Sequence, residues 1–173
     1  MKLLFISILS IFYSCEIKSI KNNDFEIFDL ILEKSMKDNE LEGRYIYEYI
    51  STDYLKMEEQ IYWSFIKKNV ISKDYDFILN QYNVLKSDKL KIEDKLLLKY
   101  NLKRKTYSEI FINKGENNIN AFLFSRPLYN ENCSVAVVKF QQKLNLHTFE
   151  VTFILEKENN KWKMKEKMTT IIN

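Results

Sequence analysis

The spacing of apolar residues changes once along this chain of 173 residues, and the change limits the folds that are open to it. Upstream of Asn113, apolar side chains recur every three to four positions, as they do on one face of an α-helix. Downstream, apolar and polar residues alternate, as they do in a β-strand with one buried face. Helices followed by strands favour the α+β class, in which the helices pack on a sheet.

The first half contains three segments with helical spacing, at residues 24–39, at residues 53–68 and after Ser72. Asn23 or Asp24 is the predicted cap of the first segment. The stretch GRYIYEYISTDY combines alternating tyrosines with two isoleucines one helical turn apart, and we expect it to be helical. The stretch LLLKYNL fits a helix or a strand. The third segment has the clearest stripe, formed by Tyr75, Ile78, Leu79, Tyr82 and Leu85.

The second half predicts an antiparallel sheet of three to five strands, beginning after a turn at NKGENN. Pro127 lacks an amide donor, so the strand NAFLFSRPLY should lie at an edge or end there. The stretch CSVAVVKF is apolar on both faces, which predicts a central strand covered by helices. The stretch HTFEVTFILEK alternates and places Glu150 and two threonines on the predicted solvent side. The turn ENNK then leads into a last alternating strand that begins at Trp162.

The first residues have the layout of an export signal. Lys2 supplies a positive charge, the eleven residues Leu3–Tyr13 are apolar apart from two serines, and the small residue Ser14 precedes Cys15. A membrane-spanning helix needs about 20 apolar residues, so this run is too short to remain as a span. Phe12 stands at the third position before the expected cut, where ordinary secretory cleavage requires a small residue.

The residues IFYSC resemble the lipobox of bacterial lipoproteins, in which the cysteine thiol receives a diacylglycerol and the chain is cut just before it. Two aromatic residues stand where the commonest lipobox has Leu and a small residue. The resemblance implies a signal peptide at 1–14, lipidation of Cys15, a tether at 15–23 and a single globular α+β domain at 24–173. The alternative is a cytosolic protein whose first residues form a buried strand or helix.

Lipidation at Cys15 would place the protein in the cell envelope, held to a membrane by acyl chains such as palmitate. No acid-rich export tag follows Cys15, so the membrane and its face stay open, with the periplasmic face of the outer membrane as the leading assignment. Cys133 would then be the remaining thiol, and no intramolecular disulfide forms. Without lipidation, a bridge between the two cysteines becomes possible in an oxidising compartment.

The charge balance argues against nucleic acid as a partner. The formal net charge is +3, and removal of Lys2 leaves +2, which is too weak a field to recruit a polyanion. The chain also has few arginines, the residues best suited to bidentate contacts with phosphate or carboxylate: Arg44, Arg104 and Arg126.

Catalytic chemistry has little support in the sequence. Cys133 and His147 suggest a thiol and its base, but the predicted hairpin of 133–142 with 147–156 separates them by about nine residues, or roughly 30 Å. One histidine and one free cysteine predict no metal site, and two glycines provide no phosphate loop or cofactor site. Carboxylate pairs that would suit glycoside hydrolysis are better explained as solvated helix charges: Asp74 with Asp76, and Glu58 with Glu59.

Aromatic residues offer a binding surface for a protein or glycan partner, with core packing as the alternative. One third of the chain holds six of them: Tyr45, Tyr47, Tyr49, Tyr54, Tyr62 and Trp63. A row of lysines in the last strand suggests either contact with anionic headgroups or a solvated edge: Lys163, Lys165 and Lys167.

The stretches DYDFILNQYNV, SRPLYNENCSVAVVKF and LEKENNKWKM are similar to those of a group of small exported bacterial lipoproteins without an assigned activity. That resemblance implies a helical first half and a sheet that ends in a tryptophan hairpin. The expected function is a non-catalytic, lipid-anchored envelope protein that binds or supports a partner. The alternatives are an exported hydrolase and an immunity or inhibitor lipoprotein. Convergent carboxylates in a pocket would favour the hydrolase, and a flat tyrosine-rich patch would favour binding.

Overall fold

A mixed β-sheet of seven strands forms the middle layer of the protein, and helices cover both of its faces. The structure is a computed structural model that describes residues 22–36, 44–51, 59–85, 89–112, 120–144 and 147–172. Cys15 and the predicted signal peptide and tether up to residue 21 therefore lie outside the described residues.

The helices are α1 (residues 22–36), α2 (Glu59–Asn69), α3 (Ser72–Leu85), α4 (Asp94–Tyr100) and α5 (Tyr107–Phe111). The strands are β1 (Arg44–Tyr47), β2 (Tyr49–Ser51), β3 (Lys89–Lys91), β4 (Lys103–Lys105), β5 (Asn120–Phe124), β6 (Leu128–Tyr129), β7 (Val135–Leu144), β8 (His147–Glu158) and β9 (Lys161–Ile172). The strand order in the large sheet is β4, β1, β5, β7, β8, β9, with β6 also paired to β7. Strand β1 runs parallel to β4 and β5, whereas the other pairings are antiparallel. Strands β2 and β3 form a separate antiparallel pair.

The protein is α+β, as the sequence predicts, but its sheet is larger than expected. The predicted three to five antiparallel strands correspond to β5, β7, β8 and β9. The prediction omits β1 and β4, which lie upstream of the predicted sheet. The expectation that GRYIYEYISTDY is helical is wrong, because its described part forms β1 and β2. Ile46 packs against one face of the sheet and Tyr45 and Tyr47 against the other, so apolar residues stand on both sides. A strand covered on both faces loses the alternation that identifies it.

The helix predictions are confirmed for α2 and α3, and LLLKYNL contributes to helix α4. Residues 52–58 lie outside the described ranges, so the start predicted for the second helix is not described. Asn23 and Asp24, the predicted caps of the first helix, lie inside α1, and its predicted end near Asn39 lies outside the described residues.

Each face of the sheet has its own apolar core. On the first face, α1 and α4 pack on alternate residues of β7, and this core includes Phe28, Ile31, Leu96, Val138 and Phe140. On the second face, α2 and α3 cover the intervening residues, including Tyr62, Ile78, Tyr82, Val135 and Val137. Helix α5 covers the same second face beside β1 and β5. Strand β7 is thus the central strand that the sequence predicts.

The strand path breaks between β5 and β6, and a side chain repairs the ladder. Ser125 N–H donates to Lys139 O at 2.8 Å, and Lys139 N–H donates to Ser125 Oγ at 2.8 Å. Pro127, which has no amide donor, lies between the two strands, in agreement with its predicted position at a strand end. The break turns Arg126 and Pro127 towards α3, where they line a groove.

The hairpin of β7 with β8 is confirmed, with a register two residues from the predicted one. Leu144 pairs with His147, and Val135 pairs with Glu156. A shift of two residues keeps every side chain on its predicted face of the sheet. At the next turn, the backbone adopts positive φ at Asn159 (50°) and Asn160 (60°), as a two-residue type I′ turn requires.

Candidate functional site

Asp24 is the buried carboxyl group at the start of α1. The apolar stripe of α1 packs on the first face of the sheet, which leaves Asp24 only 8 % exposed. Tyr129 Oη donates a hydrogen bond to its Oδ1 at 2.5 Å. Burial raises the pKa of Asp24 to about 6, although the Tyr129 hydrogen bond and the charge of Arg126 act in the opposite direction. Glu93 adds to the upward shift of this pKa.

A cavity of about 290 Å³ lies beside this carboxyl group, between α1, the β2–β3 pair and α4. We call it the Asp24 cavity. It combines the carboxyl groups of Asp24 and Glu93 and the ammonium of Lys91 with apolar walls: Phe25, Phe28, Ile50, Leu90 and Leu96. Two carboxyl groups therefore line one pocket, an arrangement that would suit a hydrolase.

A second concavity of about 480 Å³ lies between α3 and the break that precedes β6. We call it the α3 groove, lined by Phe77, Asn80, Gln81, Val84, Leu85, Arg126, Pro127 and Tyr129. Its rim carries apolar side chains in solvent, since Phe77 is 40 % exposed and Val84 is 77 % exposed. Gln81 Oε1 accepts a hydrogen bond from Tyr129 N–H at 2.6 Å, which holds α3 against the edge of the sheet.

Tyr129 connects the two concavities. It lines the α3 groove, its hydroxyl binds Asp24, and its ring lies 5.9 Å from the ring of Trp162. Burial raises the pKa of Tyr129, and the neighbouring Asp24 carboxylate raises it further, so the hydroxyl is the proton donor in this pair. The start of α1, the Asp24 cavity and the α3 groove therefore form one region of the molecule.

A polar recess of about 440 Å³ lies at the tight turns on the same side. Its walls are Asn23, Asn132, Cys133, Ser134, Lys157, Asn159 and Asn160. The Lys157 ammonium donates to Asn23 Oδ1 at 2.9 Å, which ties the first turn of α1 to β8.

The structure places Cys133 and His147 at opposite ends of the ten-residue strand β7, in agreement with the predicted separation. Cys133 is half-buried and adopts a positive φ of 54°, whereas the sequence predicts a buried strand residue. His147 is exposed and is the first residue of β8.

A buried ion pair lies on the second face of the sheet. The Lys139 ammonium is 2.5 Å from Glu150 Oε1, with side chains only 1 % and 9 % exposed. The contact is an ion pair without ordinary hydrogen-bond geometry at the ammonium, and Gln141 Nε2 donates to Glu150 Oε2 at 2.6 Å. The Lys139 ammonium also lies 5.9 Å from the centre of the Tyr62 ring. We call these four residues the Lys139 cluster.

The solvent side predicted for HTFEVTFILEK is therefore wrong at Glu150 and Thr152, which are 7 % and 1 % exposed. Helices α2 and α3 cover that face, as they cover the neighbouring residues of β7. The sequence signal that would have predicted this burial is a pair of opposite charges on the same face of two adjacent strands. The predicted register already sets Lys139 opposite Glu150, and the observed register makes them diagonal neighbours.

The aromatic residues proposed as a binding surface divide between core and edge. Tyr62 is buried, and Trp63 packs edge-on against Tyr62 and Tyr82 at 4.9 and 5.2 Å. At the other end of the second face, Tyr47, Tyr49, Tyr107 and Phe111 form a chain of ring contacts of 4.6 to 6.2 Å, of which Tyr107 is 47 % exposed. Tyr54 lies outside the described residues.

Of the carboxylates suggested as catalytic pairs, Asp74 and Asp76 both lie within the described residues, on α3. Asp74 accepts a hydrogen bond from Asn130 Nδ2 at 3.0 Å, and Asp76 is exposed on α3. Glu58 lies outside the described residues. Within the described ranges, His, Cys, Asp and Glu side chains form no group of three or more that could hold a metal ion. None of the described helices has both the length and the apolar character that a membrane span requires.

Comparisons of the chain with protein-family models, with curated proteins and with solved structures found no match. A function for this protein is therefore inferred from the residues of the site.

Proposed function

We propose that this protein is a non-catalytic, lipid-anchored envelope protein that binds an apolar partner at the α3 groove. The observation that carries the proposal is the groove itself, in which large apolar side chains stand in solvent beside a fixed polar wall. Binding sites combine predominantly apolar linings with a few placed polar groups. Exposed apolar surface rimmed by polar residues marks interaction sites on soluble domains.

The anchor in this proposal is Cys15, on the periplasmic face of the outer membrane. Its support is the short apolar leader, the small residue before the cysteine and the charged residues that follow. The position of the groove agrees with an anchor, because Tyr129 joins it to the first turn of α1, where the tether enters the domain.

The test of the anchor is metabolic labelling of the full chain with a palmitate analogue. We expect the label in the membrane fraction and its loss in a Cys15→Ala variant, while Cys133→Ala retains it. Mass spectrometry of the purified protein should identify lipidated Cys15 as the first residue. An unlabelled protein that begins at Met1 would overturn the anchor.

The test of binding is a photoreactive side chain introduced at position 84, in the groove, or at position 98, on α4. Val84 and Leu98 are similarly exposed, at 77 % and 84 %, so the two positions form a matched pair. We expect crosslinks in intact cells from position 84 at several times the yield from position 98. Equal yields would contradict a partner at the groove.

The second candidate function is that of an exported hydrolase, and the Asp24 cavity is the observation that favours it. A carboxyl group with a pKa of about 6 retains part of its protons near neutral pH, as a general acid requires. Glu93 lines the same cavity and would act as the second carboxylate. If the purified protein cleaves cell-wall glycans and Asp24→Asn abolishes the cleavage, the catalytic assignment replaces the binding one.

A further inference from the structure

We propose that the ligand of the α3 groove is one acyl chain of an anionic lipid, taken from the membrane to which the protein is tethered. The inference deepens the proposed function and rests on it for the location of the groove. Three properties of the groove lead to this ligand: its apolar walls, its single charged residue and its place beside the tether.

The walls of the groove suit a narrow apolar ligand. The volume of about 480 Å³ falls within the range of about 300 to 1,000 Å³ that is common for small-molecule sites. Phe77 and Val84 are seven residues apart on α3, so the exposed apolar rim extends along about 10 Å of helix. Stable protein partners bury about 800 Å² on each side, which exceeds what a rim of this length offers. An extended hydrocarbon chain fits it better than a folded partner.

The charge of the groove suits an anionic headgroup. Arg126 is the charged residue among the eight that line it. A guanidinium group presents paired donors that match the oxygens of a carboxylate or a phosphate. The Asp24 carboxyl group, which accepts the hydrogen bond from Tyr129, also interacts electrostatically with Arg126. A ligand with an acyl chain and an anionic head therefore meets apolar and positive surface in one concavity.

The position of the groove brings membrane lipid within reach. The first turn of α1 is fixed by Asp24 to Tyr129 and by Asn23 to Lys157. Seven peptide units join Cys15 to residue 22 and span at most about 25 Å when fully extended. If Cys15 carries the anchor, the groove stays close to the lipid headgroups. The protein can then exchange lipid with the bilayer while it remains anchored.

The experiment uses the lipidated full chain in phosphatidylcholine vesicles that contain a trace of phosphatidylglycerol with a diazirine in one acyl chain. After irradiation, mass spectrometry maps the crosslinked peptides. We expect the crosslinks in α3 and in residues 126–129. Val84→Asp should reduce them at least tenfold, because it places a charge in the apolar rim, and Leu98→Asp should leave them unchanged.

The headgroup is tested with Arg126→Gln. This variant should lower crosslinking to the phosphatidylglycerol probe several-fold. It should lower crosslinking to a phosphatidylcholine probe with the same acyl chain less, because the choline cation already offsets the charge of the phosphate. Thermal unfolding checks that each variant is folded, and Val84→Asp keeps the test decisive because its side chain is mostly exposed. Crosslinks spread evenly over the surface, crosslinks between two copies of the chain, or yields that Val84→Asp does not lower would overturn the proposal.

Failure of the anchor and failure of the ligand are distinguishable. The full chain with Cys15→Ser is incubated with a free diazirine fatty acid in the absence of vesicles. Labelling of the groove in this chain supports the acyl ligand even if Cys15 proves not to be lipidated. A lipidated protein whose groove takes up neither probe retains its anchor and loses the proposed ligand.

Discussion

The two faces of the sheet each bury charged or titratable groups, and they do so in different ways. On the first face, the Asp24 carboxyl group accepts a hydrogen bond from the Tyr129 hydroxyl and borders a cavity. On the second face, the Lys139 cluster pairs opposite charges that are almost completely enclosed. Burial disfavours an unpaired charge, and a partner of opposite charge offsets that cost. One face thus carries a carboxyl group that gains or loses a proton near neutral pH, and the other carries a closed ion pair.

The difference between Asp24 and the Lys139 cluster distinguishes a candidate ligand-binding region from a structural ion pair. A group that acts on a ligand must be reachable, and the walls of the Asp24 cavity and the α3 groove are open to solvent. Helices α2 and α3 close over the Lys139 cluster. We therefore assign the region around Asp24, Tyr129 and the α3 groove to function, and the ion pair to the stability and register of the β7–β8 hairpin.

The largest expected effect is that of Lys139→Met. This substitution leaves the carboxylate of Glu150 buried without its cation, and removing one member of a buried ion pair costs about 3 to 5 kcal/mol. Urea unfolding followed by circular dichroism measures the loss.

The double variant Lys139→Met with Glu150→Gln is the matched control. It removes both charges and keeps an amide beside Gln141, so it should recover most of the lost stability. If the single and double variants are equally stable, the ion pair is not the source of the effect.

A smaller, pH-dependent effect is expected from Asp24. The unfolded chain loses this proton near pH 3.8 and the folded chain near pH 6, so between these values the folded state holds a proton that the unfolded state has lost. Raising the pH through this window therefore lowers the free energy of unfolding, by roughly 3 kcal/mol at most. Asp24→Asn does not titrate, and its stability relative to the wild type should rise from pH 4 to pH 6 and then level off.

The exposed carboxylate of Asp76 provides the control for this titration. Asp76→Asn should differ from the wild type by less than about 0.5 kcal/mol over the same pH range, since exposed substitutions have small effects. Urea unfolding at pH 4, 5, 6 and 7 measures both differences. A stability difference for Asp24→Asn that stays constant with pH would mean that Asp24 has an ordinary pKa in the folded protein.

The elements that sequence reasoning predicts are those long enough to show several repeats of their apolar spacing. The stripe of α3 and the alternation of β8 and β9 belong to this group. Strands β1 and β4 are short, and β1 is covered on both faces, so neither has a diagnostic period. Their parallel pairing also joins distant parts of the chain, which local spacing does not encode.

The candidate site is harder to predict than the fold for the same reason. Tyr129 and Asp24 are 105 residues apart in the sequence, and neither stands in a motif. Asp24 resembles a helix cap in the sequence because acidic residues are common in a first turn. Only the packing of α1 on the sheet turns it into a buried carboxyl group. The Lys139 cluster is easier to predict from the sequence, because its charged residues interrupt two apolar strands that are adjacent in the hairpin.

The smallest expected effect is the coupling between the two faces, and it tests whether they are independent. Tyr129→Phe removes the donor to Asp24, and Gln141→Met removes the donor to Glu150. Each substitution alone should cost about 1.5 to 3 kcal/mol, as expected for a hydrogen bond to a charged group. Because these side chains lie on opposite faces of the sheet and share no described contact, the double variant should be additive within about 0.5 kcal/mol. A larger coupling in urea unfolding would mean that β7 transmits changes between the ion pair and the ligand region, and the ion pair would then belong to the functional site.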